Sequence, residues 1–349
     1  MIEIFAKCIH LLQTGENVVL MTVFEARGSA PRTAGARMLV RTDGSSLGTI
    51  GGGRLEHEAI AAALTLFQTK ASIIQCFDLT GNDVAGMDMI CGGRGEIWIE
   101  FLDAGDPEGL SVCREITRLL QQGEKAWLLT LIDGPATEGN FRKCLVRKDL
   151  SCSGSLPPPG DLLAQLEKGT GGPSVYAAAV AGARYLIEAI VPAQTVYVFG
   201  AGHVSQAVVP LCESVGFRTV ALDDRAEFAC SQRFSPATRI VLLNGFDCWP
   251  ELGIDEDSFI VILTRGHLHD KVALAQALRT SAGYIGMIGS RRKRDKIYQT
   301  LLAEGFSQTE IDRVHSPIGL NIGAETPAEL AVSIVAELIQ VRAAKLGRK

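Results

Sequence analysis

The 349 residues are 47% hydrophobic and 21% charged, with a net charge of −5, the balance of a globular chain long enough for two cores. That charge supplies no basic field for sequence-independent nucleic-acid binding. The opening stretch MIEIFAKCIHLLQTGE lacks a signal-peptide core and no apolar run is long enough to span a bilayer, so a cytoplasmic protein is expected.

In chain order, Ile4 to Leu12 has the apolar spacing of an amphipathic helix, and Asn17 to Phe24 reads as a buried strand. Arg27, Arg32 and Arg37 then stand among Gly, Ser and Pro, loop chemistry suited to an oxyanion. After the strand Met38 to Val40, Gly51-Gly52-Gly53 opens a helix reaching Phe67. Three glycines there leave the first amide hydrogens uncovered, a candidate anion site; the alternative is a turn of high entropic cost. A strand at Phe77 leads through a polar excursion to Ile90-Cys91-Gly92-Gly93-Arg94 and the alternating strand Glu96 to Phe101. A thiol beside paired glycines is open to a ligand, and Arg94 favours its thiolate; the alternative is an ordinary buried cysteine. The nine cysteines include no CxxC pair, so neither a disulfide framework nor a zinc ribbon is indicated. A helix from Ser111 to Gln122, a strand from Ala126 to Ile132, a proline-rich loop from Ser151 to Gly160 and a strand near Arg184 to Ile190 complete an N-terminal α/β (α+β) domain, residues 1–192.

The second domain, residues 193–349, opens with the continuously apolar Val196 to Phe199, then Gly200-x-Gly202-x-x-Ser205, a helix ending at Gly216, and the strand Thr219 to Leu222 with Asp223 at its carboxyl end. This is the first half of a dinucleotide-binding fold: Gly200 makes the turn, Gly202 lets backbone approach a phosphate, Ser205 stands at the helix–strand contact, and Asp223 is spaced for a ribose hydroxyl. Arg239 to Leu243, Ser258 to Thr264 and Tyr284 to Ile288 continue as strands separated by helical patterns, giving a Rossmann-like doubly wound parallel sheet. Its carboxyl edge receives His203, Arg225, the Thr264-Arg265-Gly266-His267-Leu268-His269-Asp270 loop, and Gly289-Ser290-Arg291. The basic run from Arg291 to Arg294 lies at the wrong end of the helix dipole unless an anion sits there; a solvated face is the alternative.

Taken together, GSAPRTAGARMLV (28 to 40), GTIGGGRLE (48 to 56), CGGRGEIWIE (91 to 100), VFGAGHVSQAV (198 to 208), ALDDRAEF (221 to 228), TRGHLHD (264 to 270), YIGMIGSRRKR (284 to 294) and SPIGLNIGAETPAELAVSI (316 to 334) resemble the XdhC/CoxI family of xanthine dehydrogenase accessory proteins. Only the stretch from about 105 to 190 offers no motif to match. The resemblance implies a chaperone that binds the molybdenum cofactor, mediates its sulfuration by a cysteine desulfurase and delivers it to a xanthine dehydrogenase-type molybdenum hydroxylase. It makes Cys91 the catalytic and metal-contacting residue and the glycine-arginine loops the cofactor site; a homodimer is a further expectation. The residues leave open an NAD(P)-linked oxidoreductase, with His203 or His267 as acid or base, and a nucleotide-sensing binding module.

Overall fold

A computed structural model describes residues 1–28, 34–78, 93–133, 143–168 and 175–345. The chain divides into two compact units, Met1–Pro192 and Ala193–Lys349.

The first unit is built twice from one plan. Helix α1 (Ile2–Gln13), strands β1 (Val18–Gly28), β2 (Arg37–Arg41) and β3 (Ser46–Gly48), helix α2 (Gly53–Thr69) and strands β4 (Ile73–Asp78) and β5 (Gly93–Leu102) form the first half. Helix α3 (Pro107–Gln122), β6 (Ala126–Asp133), β7 (Lys143–Arg147), β8 (Cys152–Gly154), α4 (Gly160–Glu167), β9 (Val175–Val180) and β10 (Ala183–Ile190) repeat the order. Their sheets run β3-β2-β1-β5-β4 and β8-β7-β6-β10-β9, the same topology. A faint echo survives in sequence: Arg37-x-Leu-Val-Arg41-x-Asp43-x-Ser45 against Lys143-x-Leu-Val-Arg147-x-Asp149-x-Ser151. Asp43 Oδ1 accepts the Ser45 amide at 2.9 Å and Asp149 Oδ1 the Ser151 amide at 3.0 Å, so both copies turn alike. Gly48 and Gly154 both have positive φ, +89° and +130°, and a side chain at either would meet the carbonyl of Arg37 or Lys143 respectively.

Two buried ion pairs tie the copies together. Arg37 Nη2 donates to Glu188 Oε1 at 2.5 Å, and Lys143 Nζ to Glu100 Oε2 at 2.7 Å. Leu20 faces Glu100 across one sheet and Leu128 faces Glu188 across the other, so each bond joins a β2-type cation of one copy to a β5-type acid of the other. Helices α1 and α3 pack together around Cys8 and Cys113, within one apolar core drawn from both copies.

The second unit is a parallel sheet. Strands β11 (Thr195–Phe199), β12 (Arg218–Asp223), β13 (Arg239–Leu242), β14 (Phe259–Ile262), β15 (Tyr284–Met287) and β16 (Val314–His315) lie in the order β13-β12-β11-β14-β15-β16, which reverses direction between β11 and β14. This is the doubly wound order whose carboxyl edge holds ligands. Helices α5 (His203–Ser214) and α9 (Pro327–Lys345) share one core with the sheet; α6 (Gly266–Leu278) and α7 (Arg291–Ala303) share the other, with the short α8 (Gln308–Ile311) beside them. Thr326 and Glu329 form a capping box at the start of α9: Glu329 accepts the Thr326 amide at 2.9 Å and Thr326 Oγ1 accepts that of Glu329 at 3.3 Å. One expectation fails. A helix is expected between β13 and β14, but residues 243–258 form none. Gly245, Pro250 and Gly253 interrupt any helical run there.

Candidate functional site

The glycine turn after β11 is held from three sides. Gly200 has φ +97°, and a side chain on it would collide with the Leu263 carbonyl at the end of the neighbouring β14. Its amide donates to Leu222 O at 2.7 Å, and its carbonyl accepts Ser205 Oγ, so serine in the third position ties α5 to the turn. Gly202 is different. It is the N-cap of α5 with no side-chain cap, and a Cβ built on it meets nothing within 4 Å. Exposed His203 begins the helix, and no acid stands in its first turn. The first amides of α5 are therefore available to an anion beside open space.

Asp223 is fully buried. Its Oδ2 accepts the Ala201 amide at 2.7 Å, and Arg225 grips the carboxylate through Nε at 2.8 Å and Nη2 at 3.0 Å. Burial pushes the carboxyl up, but Arg225 and the Ala201 amide hold it below its usual value. With both oxygens engaged inside the protein, Asp223 braces the turn and offers a ribose little. The residue after it, Asp224, faces Arg265 Nη2 at 3.1 Å and keeps a buried Oδ1 with no hydrogen bond. Arg233 Nη2 reaches Ala201 O at 3.3 Å, and Arg225 and Arg233 both lie over the Phe228 ring, 3.5 and 4.6 Å from its centre. Neither Asp224 nor Arg233 is marked as a site residue by the sequence. Two adjacent aspartates at a strand end signal an acid, but not which one turns inward.

At the other loops of this edge, Ser290 caps α7 by accepting the Lys293 amide at 3.3 Å, between Gly289 and exposed Arg291. His267 is the second residue of α6. The HxHxD pattern ends in Asp270, which binds Thr264 and Lys293. Among the described residues no group of three His, Cys, Asp or Glu is placed to hold a metal ion.

In the first unit two of the amides expected to be uncovered, those of Gly51 and Gly52, already have an acceptor. Glu56 Oε1 accepts the amides of Ile50, Gly51 and Gly52 at 3.0, 3.2 and 2.8 Å and the Thr49 hydroxyl at 2.5 Å. The anion that this glycine loop suits is supplied by Glu56, three residues beyond Gly53. Burial alone raises the Glu56 carboxyl, yet these donors hold it below its usual value. Replacing Glu56 by Ala is expected to cost about 1–3 kcal/mol, because four donors lose their acceptor together; urea unfolding of the variant checks it. Arg27 lies on β1 opposite Arg94 of β5. Arg94 Nε pairs with Asp78 at 2.7 Å. Arg32 and Cys91 lie outside the described residues.

Residues 11–78 match the model of the XdhC and CoxI family, and residues 196–338 match that of the XdhC Rossmann domain. The chain belongs to the XdhC and CoxI family. Over 341 residues it is 25% identical to the uncharacterized protein YqeB of Escherichia coli K12, covering 97% of this chain but 46% of YqeB, so it spans about half of that relative. It is also 25% identical to a probable xanthine dehydrogenase subunit of Bacillus subtilis 168, covering 95% of both chains. The molybdenum cofactor insertion chaperone PaoD of E. coli K12 is 23% identical over 96% of this chain and 86% of its own length. A Bacillus halodurans crystal structure described as a xanthine dehydrogenase superposes with a TM-score of 0.79 at 24% identity, over 97% of this chain and 96% of that one, and shares the XdhC fold. No helix among the described residues is long and apolar enough to cross a membrane.

Proposed function

We propose that this XdhC protein is a maturation factor that holds the molybdenum cofactor while a cysteine desulfurase supplies sulfur to it, then hands it to a xanthine dehydrogenase-type molybdenum hydroxylase. The observation that carries the reading is likeness to the insertion chaperone PaoD along nearly the whole chain. The geometry is compatible with such a cargo: the uncapped start of α5 beside open Gly202 suits a phosphate, with Arg233 anchored to the same turn. An NAD(P)-linked oxidoreductase gains nothing from Asp223, whose oxygens are bound to Arg225 and Ala201. In this reading Cys91 contacts the molybdenum or the sulfur passing to it, since a soft metal prefers thiolate to oxygen ligands.

The test is to purify the protein and its Cys91→Ser variant from cells that make molybdopterin, then measure bound molybdenum, pterin fluorescence and activation of the client hydroxylase. The wild type is expected to carry both signals and to activate the client. The variant is expected to lose metal and activation at unchanged thermal midpoint. Absence of pterin and molybdenum from the wild type would overturn the reading, and full activity of the variant would return Cys91 to a packing role.

A further inference from the structure

Between the first turns of α6 and α7 lies a cavity of about 650 Å³, within the range of small-molecule sites. Gly266 and Leu268 line one side, and Ser290, Arg292, Lys293 and Lys296 the other. Helix α7 begins Arg291-Arg292-Lys293-Arg294 with no acid in its first turn, cations at the end where the helix dipole is already positive. Two of the four are compensated within the protein. Lys293 is ion-paired with Asp270, which is wholly buried and also accepts Thr264 Oγ1 at 2.5 Å. Arg294 pairs with Asp295 at 2.7 Å and donates to Ser316 O at 3.1 Å.

Arg292, and Lys296 beyond these four, have no such relief. They stand one turn apart on α7, both on the cavity wall, and neither meets an acidic group among the described residues. Lys271 brings a further cation to the wall, although Glu304 pairs with it. Ser290 satisfies the amide of Lys293 with its hydroxyl and that of Arg294 with its carbonyl, leaving those of Arg291 and Arg292 without an acceptor among the described residues. Helix α6 likewise starts with no side-chain cap. Two helix starts and two unbalanced cations therefore share one cavity. Its other face is apolar: Leu268 is 65% exposed there, with buried Ile297 across from it. A bare inorganic ion would leave Leu268 in water.

We propose that this cavity binds a small phosphorylated organic molecule of nucleotide size. Its phosphate sits at Ser290 and the free amides, balanced by Arg292 and Lys296, and its body covers Leu268 and Ile297. The assignment is independent of what the glycine turn after β11 carries.

Isothermal calorimetry on the full chain tests it with AMP, glucose 6-phosphate, inorganic phosphate and adenosine. AMP is expected to bind most tightly, the two phosphates lacking a planar body more weakly, and adenosine undetectably. The double variant Arg292→Glu/Lys296→Glu is expected to weaken AMP by more than about tenfold and to flatten its salt dependence, at unchanged thermal midpoint because neither side chain is buried in the core. Lys296→Gln gives an intermediate loss and serves if the double variant is poorly folded. Gly202→Val, at the other helix start, is expected to leave this binding unchanged. The proposal is overturned if no phosphate compound binds at millimolar concentration, if the charge reversals leave AMP affinity as it was, or if Gly202→Val alone abolishes it.

Discussion

Replacing Glu188 by Ala is expected to destabilise the first unit by about 3–5 kcal/mol, among the largest effects of any side-chain truncation in the chain, because Arg37 is left buried and charged with no counterion. Arg37 and Glu188 are both nearly inaccessible, with side-chain exposures of 4% and 6%. Lys143 and Glu100 are as deeply placed, at 8% and 4%, so Glu100→Ala should cost a similar amount. Removing both members of one pair separates charge from packing: Arg37→Met with Glu188→Leu should recover most of the loss, since well-packed apolar residues often match a buried pair. Guanidinium unfolding of the four proteins measures this. A Glu188→Ala cost below about 1 kcal/mol, the range of exposed pairs, would show that water reaches Arg37 and that the pair is not a buried tie between copies.

The second half of the first unit shows a helix and strands in sequence but no motif, whereas the Rossmann half shows one. The β11 turn is a local signal: an apolar strand, two glycines and a helix follow within a few residues, and each part has one cause. The second copy in residues 107–190 leaves only an Arg/Lys-x-Leu-Val-Arg-x-Asp-x-Ser trace, because a duplicated fold preserves burial and register rather than residue identity. Its connections also diverged. Ala181 and Gly182, with φ +52° and +77°, join β9 to β10 in a tight hairpin, where the first copy spends residues 79–92, including Cys91, between β4 and β5. Glu56 escaped for another reason. A carboxylate four residues into a helix ordinarily faces solvent, and only the folded loop shows that it turns back onto Ile50, Gly51 and Gly52. The adjacent pair Asp223 and Asp224 could be separated only by which one the turn encloses.

Gly200 and Gly202 belong to one motif, yet substitution is expected to harm them in opposite ways. Gly200→Ala places a side chain against the Leu263 backbone carbonyl at φ +97°. The left-handed conformation costs about 1–2 kcal/mol and the overlap about 1–3 kcal/mol more, because β11 and β14 are hydrogen-bonded neighbours that cannot part locally. A Cβ on Gly202 meets nothing within 4 Å, and the φ of −75° and ψ of −165° are open to any residue. Its stability cost is about 1 kcal/mol at most, that of a poorer helix cap. The valine instead projects into the space before the first amides of α5, where a phosphate would dock. Gly200→Ala should therefore lower the unfolding midpoint strongly. Gly202→Val should leave it nearly unchanged while removing the pterin expected to copurify with the wild type. If Gly202→Val keeps its pterin, the turn is a packing device, and the cofactor phosphate is held elsewhere in the chain.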